Sequence, residues 1–189
     1  MHMIEKWERY RLQLHTGSFL AHEIDEVLNG TTKPGGGFWT STFHPQAKYA
    51  SDWVKFWTSL KFKFGIKDFE KAVLLEVSPE AKVCHIDGVA DLEKLIFKYP
   101  RVSIDSLKRI PIDRMSSGTI DWEALARDYD GVHLTRNAAA EIHEMDRFAG
   151  WDCESTCWFK RVFVAATPYS EPLIREDVAE AIAPSTDIF

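Results

Sequence analysis

Apolar and polar positions alternate over 10–14, the period of a half-buried strand, and the run stops at His15-Thr16-Gly17-Ser18. Ile24, Val27 and Leu28 fall at helical spacing and predict a brief helix over 21–28, ended by Asn29-Gly30. A loop over 31–37 carries Pro34 and three glycines, and the β-forming residues of 38–43 predict a second strand. From His44-Pro45 a helix is expected, because proline suits a first helical turn. Tyr49, Trp53, Phe56, Trp57 and Leu60 supply its apolar stripe. Strands are expected over 72–77 and 82–86, and a helix over 91–99 that Pro100 closes. Asp121 caps a helix carrying Trp122, Leu125, Ala126 and Tyr129, and Asp130-Gly131 turns it into a strand over 132–135.

Other stretches are less regular. Residues 101–118 predict an irregular connection, and the polar run 137–148 fits a loop or a short helix. Residues 155–166 fit a long strand or a hairpin arm. Strands and helices mix without the regular βα alternation of a doubly wound sheet, which predicts an α+β fold. One domain is expected over 1–168, with a tail over 169–189 that carries one short helix and then frays.

Composition narrows the function classes. The aromatic fraction of 13% is a heavy load that must be buried or used for stacking. A net charge of -6 argues against non-specific binding to nucleic acid, whose phosphates are met by Lys and Arg. The 3 cysteines make no disulfide framework, which fits a reducing compartment. The first ten residues contain no apolar run of signal-peptide length, and no window approaches a membrane span. The expectation is a cytoplasmic chain, in the host's cytoplasm for an exported effector, with no membrane partner.

The most informative stretch is Gly150-Trp151-Asp152-Cys153-Glu154-Ser155. It lies just ahead of an aromatic run that reads as strand, where residues two apart share a face, so Asp152 and Glu154 should project together. Paired carboxylates repel and resist burial, so they mark either a site or a solvated loop edge. His15, followed by Thr16 and Gly17, makes a compact group at a strand end, although a lone histidine is also an ordinary surface or core residue. The Gly35-Gly36-Gly37 run matches no phosphate-binding pattern. It leads into Thr40-Ser41-Thr42, whose hydroxyls can hold backbone or a catalytic carboxylate. Tyr49, at the start of its stripe, could stack on a flat heterocycle. Cys153, Cys157, His143 and His85 are the candidate metal ligands, but Cys-x3-Cys is a poor match to zinc spacing and no second pair completes four ligands, so no metal is expected.

In order along the chain, Leu14-His15-Thr16-Gly17, Gly37-Phe38-Trp39-Thr40-Ser41-Thr42, Tyr49 and Asp152-Cys153-Glu154 resemble the ADP-ribosyltransferase superfamily. The similarity covers roughly 10–165, through short motifs. It implies a split mixed sheet around a central NAD cleft. It also implies cleavage of the nicotinamide-ribose bond of NAD, a substrate here, with mono-ADP-ribosyl transfer to a macromolecular acceptor. In such a site Glu154 would stabilise positive charge on the ribose and His15 would bond the ribose hydroxyls. Tyr49 would stack on nicotinamide, Thr16 and Gly17 would line the amide pocket, and Ser41 would support Glu154. Asp152 stands where arginine-modifying members carry Glu, so acceptor choice does not carry over. The acceptor stays open between protein, nucleic acid and small molecule, and the setting between toxin, viral effector and metabolic enzyme. The middle member of the site is Ser41 or Tyr49, and Arg11 is an alternative to His15. Rival readings are an NAD glycohydrolase on the same fold, a non-catalytic binding or inhibitor module, and a cysteine-dependent hydrolase.

Overall fold

The computed structural model of the chain describes residues 10–17, 24–30, 33–64, 71–102, 119–143 and 150–178. Eight strands run through them: β1 (Leu12–Thr16), β2 (Asp25–Leu28), β3 (Gly35–Thr42), β4 (Ala72–Val77), β5 (Val83–Ile86), β6 (Gly131–Leu134), β7 (Ser155–Trp158) and β8 (Phe163–Pro168). Four helices accompany them: α1 (Asp52–Phe64), α2 (Val89–Lys98), α3 (Trp122–Asp128) and α4 (Arg136–His143). The sheet order is β5-β6-β7-β3-β1-β4-β8, with β2 added onto β3. Only β5 and β6 pair in parallel. Parallel neighbours need a crossover, and this one carries α2 and α3. The expected α+β class is what the chain adopts, as an open and mostly antiparallel sheet.

The register of β5, β6 and β7 sorts their side chains. Cys84, Ile86, Val132, Leu134 and Cys157 take one face and pack against Leu92, Leu95 and Ile96 of α2, Leu125 of α3 and Ala138 and Ile142 of α4. His85, His133 and Thr156, one residue out of step, take the other face. A second core joins Leu14, Ala50, Val54 and Ala72 under α1, with Phe43, Tyr49 and Tyr169 packed against it. Among the described residues no helix is long and apolar enough to cross a membrane.

Local signals that the sequence carries are obeyed. The Asp121 side chain accepts from Ala124 N at 2.9 Å and starts α3 as expected. Where the fold departs from the pattern, tertiary pairing has overridden it. The helix expected over 21–28 is instead strand β2 from Asp25 onward, because β3 begins already at Gly35 and offers its backbone as a partner. The three glycines are therefore strand, not loop. Gly36 and Gly37 adopt φ of 64° and 65°. A Cβ on Gly36 would stand 2.0 Å from Glu26 O and one on Gly37 2.6 Å from Cys157 Sγ, so close backbone packing requires them.

The helix expected from Pro45 starts only at Asp52. Ser51 Oγ accepts from Val54 N at 3.3 Å, which caps it there. The chain from His44 to Ala50 closes as a loop, with His44 N on Ala50 O and Ala50 N on Leu173 O. Nor do residues 155–166 run as one strand: they divide between β7 and β8, with β3, β1 and β4 between the two in the sheet. The polar run from Asn137 opens as helix α4. Residues 169–178 hold no helix and are pinned by Arg175, which donates to the Ala47 carbonyl and to Tyr169 Oη. The irregular connection expected over 101–118 lies outside the described residues except at its first two positions, as does the end of the tail.

Candidate functional site

The register Thr40↔Thr156 between β3 and β7, carried two places further, sets Glu154 opposite Thr42 at the strand ends. Glu154 is only 4% exposed. Ser41 Oγ donates to its Oε2 at 2.6 Å, Thr42 N to the same oxygen at 3.0 Å, and Thr42 Oγ1 to Oε1 at 2.8 Å. Loss of water is the dominant influence and raises its pKa to about 7; the donors on Ser41 and Thr42 pull it back, and the charge of Asp52 adds to the rise. Such a group can exchange a proton near neutrality. Of the Thr-Ser-Thr hydroxyls, those of Ser41 and Thr42 hold a carboxylate, whereas Thr40 Oγ1 donates to Gln13 instead.

Around this carboxylate lie charged groups that the sequence did not single out. Arg136 of α4 grips Asp52 of α1 through two bonds, Nε at 2.7 Å and an Nη at 2.6 Å, and the same Nη lies 3.2 Å from His44 Nε2. The bond to Asp52 raises the Arg136 pKa, while burial lowers that of His44. On the far side His133 of β6 lies with Nδ1 2.8 Å from Thr156 Oγ1 and 3.4 Å from Glu154 Oε1.

A cavity of about 260 Å³ opens beside this junction. His15 and Thr16 reach it from β1, Trp39 and Thr40 from β3, Trp53 from α1, and Trp151, Asp152, Cys153 and Ser155 from the approach to β7. Its walls are braced by hydrogen bonds. His15 Nδ1 lies 2.9 Å from Trp39 O, Trp53 Nε1 donates to Thr16 Oγ1 at 3.1 Å, and Trp39 Nε1 donates to Gly36 O at 3.1 Å. Lys33 donates to Gly150 O at 2.6 Å and stands 5.1 Å from the centre of the Trp39 ring.

Of the residues singled out from sequence, His15, Thr16, Thr40 and Asp152 line this cavity. Ser41 and Glu154 are buried at the junction whose neighbours line it. Asp152 and Glu154 do not sit as an in-strand pair, because β7 begins only at Ser155. Asp152 is exposed while Glu154 is buried. Gly17, with a φ of 127°, turns the chain just past His15 and bonds Lys71 O, outside the lining set. Tyr49 is displaced as well. Lying in the loop before α1, it bridges to Ile174 and packs in the second core. Trp53, one turn further along the expected stripe, supplies the cavity's aromatic from α1. Trp39 and Trp151, 5.4 Å apart and edge to face, add two more.

Among the described residues no three His, Cys, Asp or Glu side chains group to hold a metal ion. Cys84, Cys153 and Cys157 are free thiols, and burial raises the pKa of each. A thiol kept protonated is a weak nucleophile, so the cysteine-dependent reading gains nothing here. Comparison of the chain with protein-family models, with curated proteins and with solved structures found no match.

Proposed function

We propose that the chain is an NAD-dependent mono-ADP-ribosyltransferase, with Glu154 as the catalytic carboxylate and the adjoining cavity as the seat of the nicotinamide riboside. One observation carries this reading: a buried Glu154, fixed by Ser41 and Thr42, lies between Cys153 and Ser155, which line an aromatic cavity that His15 also enters. Breaking the nicotinamide-ribose bond sends its electron pair to the ring nitrogen and leaves positive charge on the ribose, an oxocarbenium-like transition state. A carboxylate held in place before that charge develops stabilises it without reorganising. The acceptor then bonds the anomeric carbon and gives up its proton, which in this reading Glu154 takes.

His15 suits the ribose hydroxyls. With a carbonyl at Nδ1, that nitrogen carries the proton, and Nε2 is left as an acceptor. Trp53, Trp39 and Trp151 offer the flat faces for the pyridinium ring, the part that Tyr49 does not play. Asp152, exposed on the rim, faces the incoming acceptor; with water in that place the same site is an NAD glycohydrolase.

Glu154→Gln keeps the shape and removes the charge; its amide oxygen can still accept from Ser41 and Thr42 N, while its NH2 replaces the oxygen that accepts from Thr42 Oγ1. Nicotinamide release, followed chromatographically, is expected to fall by about 10²–10³-fold or more, with an unchanged circular dichroism spectrum. Wild-type release by that variant removes Glu154 from the chemistry. No nicotinamide release by the wild type, with or without candidate acceptors, favours a binding module instead.

A further inference from the structure

Behind Glu154 the sheet carries a polar face that the proposed chemistry does not use. Thr40 Oγ1 donates to Gln13 Oε1 at 2.6 Å, and Gln13 Nε2 lies 3.3 Å from Thr42 Oγ1, which in turn bonds Glu154. His133 closes this chain on the opposite side. It is fully buried, its ring centre lies 4.3 Å from that of Tyr10, and its Nε2 has no hydrogen-bond partner among the described residues.

The orphan nitrogen decides the tautomer. A buried N–H without an acceptor is the costlier arrangement, and a bare Nδ1 lone pair would point at an anionic oxygen 3.4 Å away. The proton therefore belongs on Nδ1, donated to Thr156 Oγ1 with the carboxylate beside it. Burial lowers the pKa of His133 well below its usual value, the nearby His85 adds to this and Asp87 opposes it, so the ring is neutral around pH 7.

We infer that His133 is a positioning residue for Glu154: tethered by Thr156, it presents an N–H edge to Oε1 and so holds the carboxylate against Thr42 and Ser41. The other groups facing Glu154 are accounted for. Asp52 of α1 disfavours its charge, Arg136 of α4 interacts with it but is engaged by Asp52 beside His44, and Tyr10 packs on His133. His133 Nδ1 is the group that approaches Oε1 from the β6 side, at 3.4 Å.

The role in catalysis rests on the proposed transferase reading, but the positioning itself is testable without NAD. The Glu154 carboxyl carbon is followed by NMR in protein labelled at glutamate, its signal assigned by loss in Glu154→Gln. Its titration midpoint, near 7 in the wild type, is expected to stay within half a unit in His133→Asn, which keeps a donor at the Nδ1 position. In His133→Leu, which has none, it is expected to rise by about one unit. An unmoved midpoint in His133→Leu overturns the inference. Where that variant does not fold, Thr156→Val decides: the untethered ring lets the midpoint rise, or an unchanged midpoint rejects the idea. The pH profile of nicotinamide release is expected to shift by the same amount in the same variants. A carboxyl shift without any nicotinamide release would leave the positioning standing and the transferase reading fallen.

Discussion

Glu154 is costly to the fold. Its pKa, raised from 4.5 to about 7, means that the native state holds the proton to higher pH than the unfolded chain does. The stability tied to that proton is fully present below pH 4.5 and is lost as pH rises through 7. A displacement of this size is worth about 3 kcal/mol. Glu154→Gln cannot ionise and escapes the loss. The variant is expected to gain on the wild type as pH climbs, by about 3 kcal/mol between pH 4.5 and 8, in urea unfolding free energies measured across that range. The buried histidines are common to both proteins and largely cancel from the comparison. A difference that stays constant with pH would show that the carboxyl titrates normally. The ionised form is the one wanted by a developing cation, so the wild-type rate is expected to rise through pH 7 just where stability falls. A site that trades stability for a poised charge is the usual pattern of functional strain.

At the level of elements, the packing of β7 on β3 sets where Glu154 sits, and one of the β3 glycines, Gly37, lets that packing close. A methyl on Gly37 would press on Cys157 Sγ and on Trp158 O, 2.9 Å away, at a φ that L residues avoid. Gly37→Ala is therefore expected to lose about 1–3 kcal/mol in chemical unfolding, and to lower nicotinamide release by shifting the strand that carries Glu154. An unfolding midpoint equal to the wild type's would mean that the two strands have room to part. These glycines also show where the sequence stops being readable. The cap at Asp121 and the helix over 91–99 closed by Pro100 are local signals and are found as expected, the latter as α2. Pro45 was local too, yet Ser51 supplied the stronger start for α1. That moved Tyr49 off the helix and put Trp53 at the cavity. Strand β2 exists because β3 extends into its glycines, a pairing that no spacing within 21–28 reveals.

For the whole molecule, the site is an outcome of strand order. His15 comes from β1, the hydroxyls from β3 and Glu154 from the start of β7, which the sheet sets side by side as β7-β3-β1. The types and their order were legible in the sequence, as were the hydroxyls that hold Glu154. His133, Asp52 and Arg136 were not. They reach Glu154 only through the β6–β7 register and through the meeting of α1 with α4, contacts that join residues about twenty to a hundred positions apart. If the cavity beside Glu154 seats the nicotinamide riboside of NAD, ligand must stabilise the fold by mass action. NAD at a hundred times its dissociation constant contributes about 2.7 kcal/mol, which for a chain of this size raises the melting temperature by about 5–10 °C. Trp53→Ala removes one aromatic wall and is expected to weaken binding by up to about tenfold, cutting the rise at the same NAD concentration to roughly half. Tyr49→Leu, outside the cavity, is expected to leave the rise intact. Scanning fluorimetry of the three proteins reads these outcomes directly. No NAD-dependent rise in the wild type rejects the dinucleotide seat, and a full rise in Trp53→Ala alongside a lost one in Tyr49→Leu returns the stacking role to Tyr49.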